Sequence, residues 1–93
     1  MKKEQFITIE SSFPDLESAK NLAKILLQEN LVACIQLQKV ESLFFWEDKL
    51  ENEQEILLSA KTTSDNFAKI EESIKNNHSY KLPQITAKPI THQ

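Results

Sequence analysis

Glycine is missing from this 93-residue sequence, where average usage would be about 7 %. Its absence excludes a phosphate-cradling glycine loop and a dinucleotide-binding fingerprint. Turns that require positive φ must draw on Asn or Asp instead. Cysteine is nearly missing too: Cys34 stands alone, so no internal disulfide can form. That usage fits a reducing compartment. No apolar stretch approaches the roughly 18 residues of a membrane span. The opening MKKEQFITIE has two lysines but no apolar run of signal length behind them. A cytoplasmic protein with no membrane partner is expected. A net charge of −3 lacks the global basic footprint that nucleic acid would require.

What is present is ordinary in amount. Apolar residues make up 40 % and charged residues 27 %, as in soluble globular proteins. Residues 1–93 make one domain. A chain of this size buries only roughly 60–65 % of the surface its unfolded form exposes, so its own core is thin.

The pattern along the chain alternates between two periods. QFITIES (5–11) is β-branched and alternating, hence a strand. Pro14 and Asp15 then start a helix, with Leu16, Ala19, Leu22, Ala23, Leu26 and Leu27 at helical spacing and Asn30 as its stop. LVACIQLQ alternates again, with Leu31, Ala33, Ile35 and Leu37 on one face. At Lys39–Val40 the phase slips, and Val40, Ser42, Phe44 and Trp46 fall together; a bulge or bend is expected there. EDKLE reads as a turn, and NEQEILLSAKTT (52–63) returns. A second helix follows, capped by Thr63 or Ser64, with Phe67, Ile70 and Ile74 as its stripe. HSYKLP is a loop, and QITAKPI is a last strand that Pro89 confines to an edge. The order is βαββαβ. The expected fold is α+β, a ferredoxin-like sandwich of helices on an antiparallel sheet, with an extended, bent hairpin between its second and third strands.

That hairpin raises a question. ESLFFWEDKLENEQEILL (41–58) places Phe44, Phe45 and Trp46, three of the seven aromatics, near its tip. From Leu31 to Trp46 an extended chain would span roughly 50 Å at about 3.3 Å per residue. A globule of this size has a diameter of only roughly 30 Å. The hairpin therefore overshoots its own domain. A projecting arm tipped with aromatics is an aggregation hazard unless covered. Neighbouring copies of the chain are the natural cover, and a closed ring also lets edge strands pair across subunits. The alternative folds the hairpin back into one chain's core.

Several stretches resemble one known family. LVACIQLQKVESLFFWEDKLENEQEILLSAKTT is similar to the signature of the CutA divalent-cation-tolerance proteins. In that signature a Leu-x-Ala-Cys strand runs into an aromatic-Trp-Glu-x-Lys turn and returns to Lys-Thr. HSYKLPQITAKPITH resembles the family's His-Pro-Tyr-x-x-Pro segment, and PDLESAKNLAKILLQENLVAC keeps its spacing from Pro-Asp to the cysteine. The resemblance implies a ferredoxin-like subunit in a tight homotrimer, with an architecture like PII-type signalling trimers. It also implies a role in tolerance of divalent metals, copper especially. There are departures. Ser11 stands where copper-binding members have cysteine, Asn77–His78 where some have a His pair, Ser79 for proline, and Gln38–Lys39 for Pro-Gly. Most members continue past the final Thr-His with a short C-terminal helix, whereas this sequence stops at Gln93, so either a truncated form or a member without that extension is expected.

Read with that resemblance, Cys34 and His78 are the candidate metal ligands, since thiolate and neutral imidazole both suit copper. Cys34 could equally be a small buried hydrophobe, and His78 a polar loop residue. One Cys and one His are too few for a closed site, which wants about four ligands. A trimer could bring the two together from different chains. Trp46, Glu47, Lys61 and Tyr80, with Phe44 and Phe45, are candidates for an intersubunit cleft or interface. Glu47, Lys49 and Lys61 could also be plain surface charges, and Glu51, Glu53 and Glu55 a solubilising strand face. His92 is close to the last residue. No motif aligns a nucleophile with a base, so no enzyme and no organic cofactor are expected. The functional expectation is a trimeric metal-response protein with weak copper or other divalent-metal binding at intersubunit clefts. The alternative is a PII-like trimer that senses a small molecule without catalysis.

Overall fold

Strand β1 (Phe6–Phe13) alternates strictly: Ile7, Ile9, Ser11 and Phe13 are buried, and the residues between them are not. A period of two is what one covered sheet face demands. In the computed structural model, which describes residues 5–78 and 83–90, β1 lies inside a four-stranded sheet of order β2-β3-β1-β4. The other strands are β2 (Cys34–Trp46), β3 (Lys49–Thr63) and β4 (Thr86–Pro89). All three pairings are antiparallel. With helices α1 (Leu16–Gln28) and α2 (Phe67–Asn77) inserted after β1 and β3, this is the expected βαββαβ order. Both helices lie on one face. Ala19, Leu22 and Leu26 of α1 and Ile70 and Ile74 of α2 pack with Ile9, Phe13, Leu58 and Ala60 of the sheet. Among the described residues no helix lies on the opposite, open face.

The ends of α1 explain themselves locally. The Asp15 carboxylate accepts from the Ser18 backbone N–H at 2.8 Å, an N-cap. That donor, with the Ser18 hydroxyl, holds the Asp15 carboxyl below its ordinary pKa. At the other end Asn30 takes φ 58°. Its N–H reaches the Leu27 carbonyl at 3.1 Å, and that of Leu31 reaches Leu26 at 3.0 Å. This is a Schellman stop with Asn in the place glycine would take. Buried Leu31 supplies the usual apolar follow-on.

The entry to α2 differs from expectation. A 3-10 turn (Ser64–Asn66) precedes it, and neither Thr63 nor Ser64 caps the helix. The Asn66 amide is drawn off to the Leu31 carbonyl at 3.2 Å and to Thr62 Oγ1 at 3.3 Å. Thr62 Oγ1 also donates to the Leu31 carbonyl, at 2.6 Å. Tying down a buried carbonyl at the end of the α1 stop outweighs a local cap.

Strands β2 and β3 form the long arm. Pairing runs without interruption from Cys34↔Lys61 to Trp46↔Lys49. The expected bulge at Lys39–Val40 is therefore not there: no residue is inserted. What changes at that point is which side is covered. Ile35 and Leu37 face the helices and pack on the core. Beyond Lys39 the helices end, and the half-buried positions become Val40 and Ser42 on the open face. The apolar phase follows the cover, while the backbone continues. The turn is also tighter than EDKLE. Only Glu47 (φ 50°) and Asp48 (φ 63°) connect the strands. Positive φ at both central residues is the type I′ requirement. One of the two positions falls to Glu, outside the Asn or Asp expected.

The arm overshoots the globule. The longest dimension is 49 Å against 26 and 21 Å, and the radius of gyration is 14.1 Å, where about 12 Å suits a compact chain of this length. Folding back is excluded: Phe45 is 76 % and Trp46 63 % exposed.

Candidate functional site

The register sorts the arm's side chains into two faces. On the open face Trp46 lies opposite Lys49, Phe44 opposite Glu51, Ser42 opposite Glu53 and Val40 opposite Glu55. On the helix side Leu43 lies opposite Asn52, and Phe45 opposite Leu50. Leu43, Phe45 and Leu50 are all exposed. Each face of the tip thus carries its own apolar patch. Of the expected cleft residues, Phe44, Phe45, Trp46 and Glu47 come together at this tip. Lys61 does not join them; it sits at the far end of β3, directly across from Cys34. Tyr80 and His92 lie outside the described residues.

The thiol of Cys34 is exposed on the open face, in a row that runs Cys34, Lys61, Thr8, Lys88 across the four strands. The reading of Cys34 as a buried hydrophobe therefore fails in the single chain. Thiol exposure is what metal access needs.

His78 follows the last residue of α2 and is half-buried. Its ring stacks on Phe13 at 4.1 Å between centroids, and its Nε2 lies 2.7 Å from the Ser12 carbonyl. A carbonyl only accepts, so Nε2 carries the proton, and in the neutral ring Nδ1 holds the lone pair. Burial lowers the pKa of His78; the Ser12 carbonyl and the charge of Glu55 oppose that shift. His78 is thus more than a loop polar residue. It pins the end of α2 to the end of β1.

Cys34 and His78 are not neighbours within one chain. Cys34 sits beside Lys61, while Phe13, under the His78 ring, sits beside Ile56. Those β3 positions are five residues apart, or about 17 Å along a strand. Among the described residues no group of three or more His, Cys, Asp or Glu side chains could hold a metal ion. Within one chain the described residues thus bring no such ligand group together. Ser11, which the resemblance sets in the place of a cysteine, is buried and donates to the Gln84 carbonyl at 2.8 Å. It ties the segment before β4 to the sheet.

Sequence reasoning missed the cleft at the arm root. It has a volume of about 450 Å³ and lies between the start of α1 and the arm, lined by Pro14, Asp15, Lys39, Glu41 and Glu55 among others. Glu55 also borders it, and its charge acts on His78. Asp15 is committed to its cap, and Glu41 accepts from Asn52 at 3.4 Å. No local motif announces this cleft, because its walls come from three separate elements.

The whole chain has close relatives. The family model for the CutA1 divalent ion tolerance protein matches residues 7–93. The divalent-cation tolerance protein CutA of Archaeoglobus fulgidus is 42 % identical over 77 residues, covering 83 % of this chain and 76 % of the relative. Its Thermus thermophilus counterpart is 38 % identical over 78 residues, with the same shares covered. Among solved structures, a CutA from A. fulgidus described as a periplasmic divalent cation tolerance protein superposes with a TM-score of 0.90 at 38 % identity. That match covers 95 % of this chain and 86 % of the other. CutA1 from Oryza sativa gives 0.91 at 32 % identity, covering 96 % and 83 %. Matches this long, at this identity and on the same fold, place the chain in the CutA1 divalent ion tolerance family.

Proposed function

We propose that this protein is a homotrimer that serves tolerance of divalent cations, copper in particular, and catalyses no reaction. The observation that carries the trimer is the two-faced arm tip. One flat partner can cover Phe44 and Trp46 or Leu43, Phe45 and Leu50, but not both. An arm that is apolar on both sides wants a neighbour on each, and a ring of three copies supplies two. Covering these rings is worth several kcal/mol at about 25 cal/mol per Å².

Copper enters this reading only where copies meet. Each chain offers one thiol and one imidazole at separate places. A three-fold arrangement repeats both, and a soft or borderline cation would take Cys34 and His78 from adjacent chains. Trp46, Glu47 and Lys61 would line the same clefts. The named matches are divalent-cation tolerance proteins, which favours this function over the small-molecule sensor. The exposed Cys34 thiol favours a reducing compartment, so the cytoplasm remains the expected location. No helix among the described residues is long and apolar enough to cross a membrane.

Native mass measurement, without and then with Cu(II), tests assembly and stoichiometry together. Three chains per particle are expected, with copper uptake that falls in Cys34→Ser and His78→Gln. A folded single chain at micromolar concentration would remove the trimer. Unchanged uptake in both variants would remove these two residues as ligands.

A further inference from the structure

The charges of the open face are divided between its two ends. On the arm, Lys49 is outnumbered by Glu51, Glu53 and Glu55. At the other end stand Lys61 and Lys88 with Glu10. Glu10 is already engaged. It lies 3.6 Å from the Lys88 ammonium and accepts from Ser59 at 3.1 Å. Lys88 is thereby balanced. Lys61 is exposed and makes no ion pair among the described residues. At the other end Glu53 is exposed and Glu51 half-buried, and neither makes an ion pair among the described residues. Eight residues of β3 separate Glu53 from Lys61, about 27 Å at strand rise. No rotamer closes that gap within one chain.

We propose that the acid strip Glu51–Glu53 of one copy docks on Lys61 of the next, and that this head-to-tail pairing sets the register of assembly. The inference rests on the trimeric reading above and adds which surfaces meet. The occupant of the Lys61 end is a second copy of this chain, chosen by charge complementarity on a face that no helix among the described residues covers. Phe44, opposite Glu51, comes down with the strip and supplies the apolar part of the contact. A two-fold, face-to-face pair could match the same charges. It would leave Leu43, Phe45 and Leu50 in water, so the closed ring is preferred. Opposite charges brought together fix orientation; like charges brought together cost several kcal/mol and reject the wrong register.

Sedimentation velocity over a dilution series tests this with four chains: native, Lys61→Glu, Glu53→Lys and the two changes combined. Each single reversal places like charges in contact and is expected to raise the chain concentration at half-assembly about a hundredfold or more. The combined chain restores opposite charges and is expected to return to within about tenfold of native. Both positions are exposed, and far-UV circular dichroism checks the fold. Should a reversal fail to fold, the milder Lys61→Gln and Glu53→Gln replace it, each weakening assembly, with the pair together no worse than either alone. Native-like assembly of both single variants, or damage that simply adds in the combined chain, overturns the pairing. So does a Glu53→Lys chain that assembles like the native one but whose melting magnesium fails to raise where it raises that of the native chain, which would make the strip a cation surface. A native chain that never assembles sinks the trimer itself, a different result from a native trimer indifferent to these charges.

Discussion

Phe45 and Leu50 face each other directly across the arm, and both stand in solvent, at 76 % and 64 % exposure. A cross-strand apolar pair of this kind stabilises a hairpin modestly. Left uncovered, it is an invitation to aggregate. The pair is best explained as half of a contact. Phe45→Ala removes most of that half without touching the subunit core. The subunit should keep its far-UV spectrum, while the interface loses about 2–4 kcal/mol. Dilution of the variant on a sizing column should then release single chains at concentrations where the proposed trimer of the native chain persists. Equal persistence would mean the tip is not buried by a sister copy.

The turn that carries this tip is built from residues ill suited to it. Glu47 and Asp48 both hold positive φ, and a non-glycine residue there costs on the order of 1 kcal/mol or more. Asn-Gly is the favoured pair for such a turn. Replacing Glu47–Asp48 by Asn-Gly should stabilise the chain by about 1–2 kcal/mol, raising Tm by roughly 4–8 °C per kcal/mol for a domain of this size. Differential scanning calorimetry reads this directly. A lowered Tm would show that the Glu47 or Asp48 side chain makes a contact worth more than the strain.

Most of the fold could be read from periodicity, and the reasons for the misses are specific. Leu22 and Leu26, Ile70 and Ile74, and the alternation of β1 announce their covered faces because one layer covers each along its length. The phase slip at Lys39–Val40 was a true signal with a wrong cause. Hydrophobic phase reports which side needs cover, and a change of side on one uninterrupted ladder mimics an inserted residue. The α2 cap was missed because Asn66 answers to Leu31, 35 positions away. His78 reads as a candidate ligand from its imidazole and from the family resemblance of its loop. Its stack on Phe13 and its bond to Ser12 come from a sequence separation of more than 60 residues, which no local pattern encodes. The separation of Cys34 from His78 follows from strand register, which sequence alone does not supply.

Asn30 is the one residue at the end of α1 whose backbone dictates its identity. Its φ of 58° is tolerable for Asn, ideal for Gly and unfavourable for Ala. Asn30→Ala should cost about 1 kcal/mol, and Asn30→Gly should be neutral or slightly stabilising. Urea unfolding of the two variants at matched chain concentration gives the comparison. The opposite order would mean that the Asn30 side chain, and not its backbone, holds the stop.

His78 makes stability depend on pH in a direction that can be worked out. Burial against Phe13 holds its folded pKa below the ordinary 6.5, with the Ser12 carbonyl and Glu55 opposing. Between the lowered value and about 6.5 the unfolded chain binds more protons than the folded one, so acidification favours unfolding. The contribution is complete above about pH 6.5. It is lost as pH falls through the folded value and changes no further below it. His78→Phe keeps an aromatic ring on Phe13 but removes the proton. Thermal melts from about pH 8 to about pH 5 should therefore fall less steeply on the acid side for this variant than for the native chain, while above pH 7 the two profiles should run parallel. Carboxylates titrate lower still and are common to both chains, so the difference between the profiles isolates the imidazole. If the profiles run parallel across the acid range as well, the ring takes up its proton in the folded chain as readily as in the unfolded one, and the packing on Phe13 does not hold it neutral.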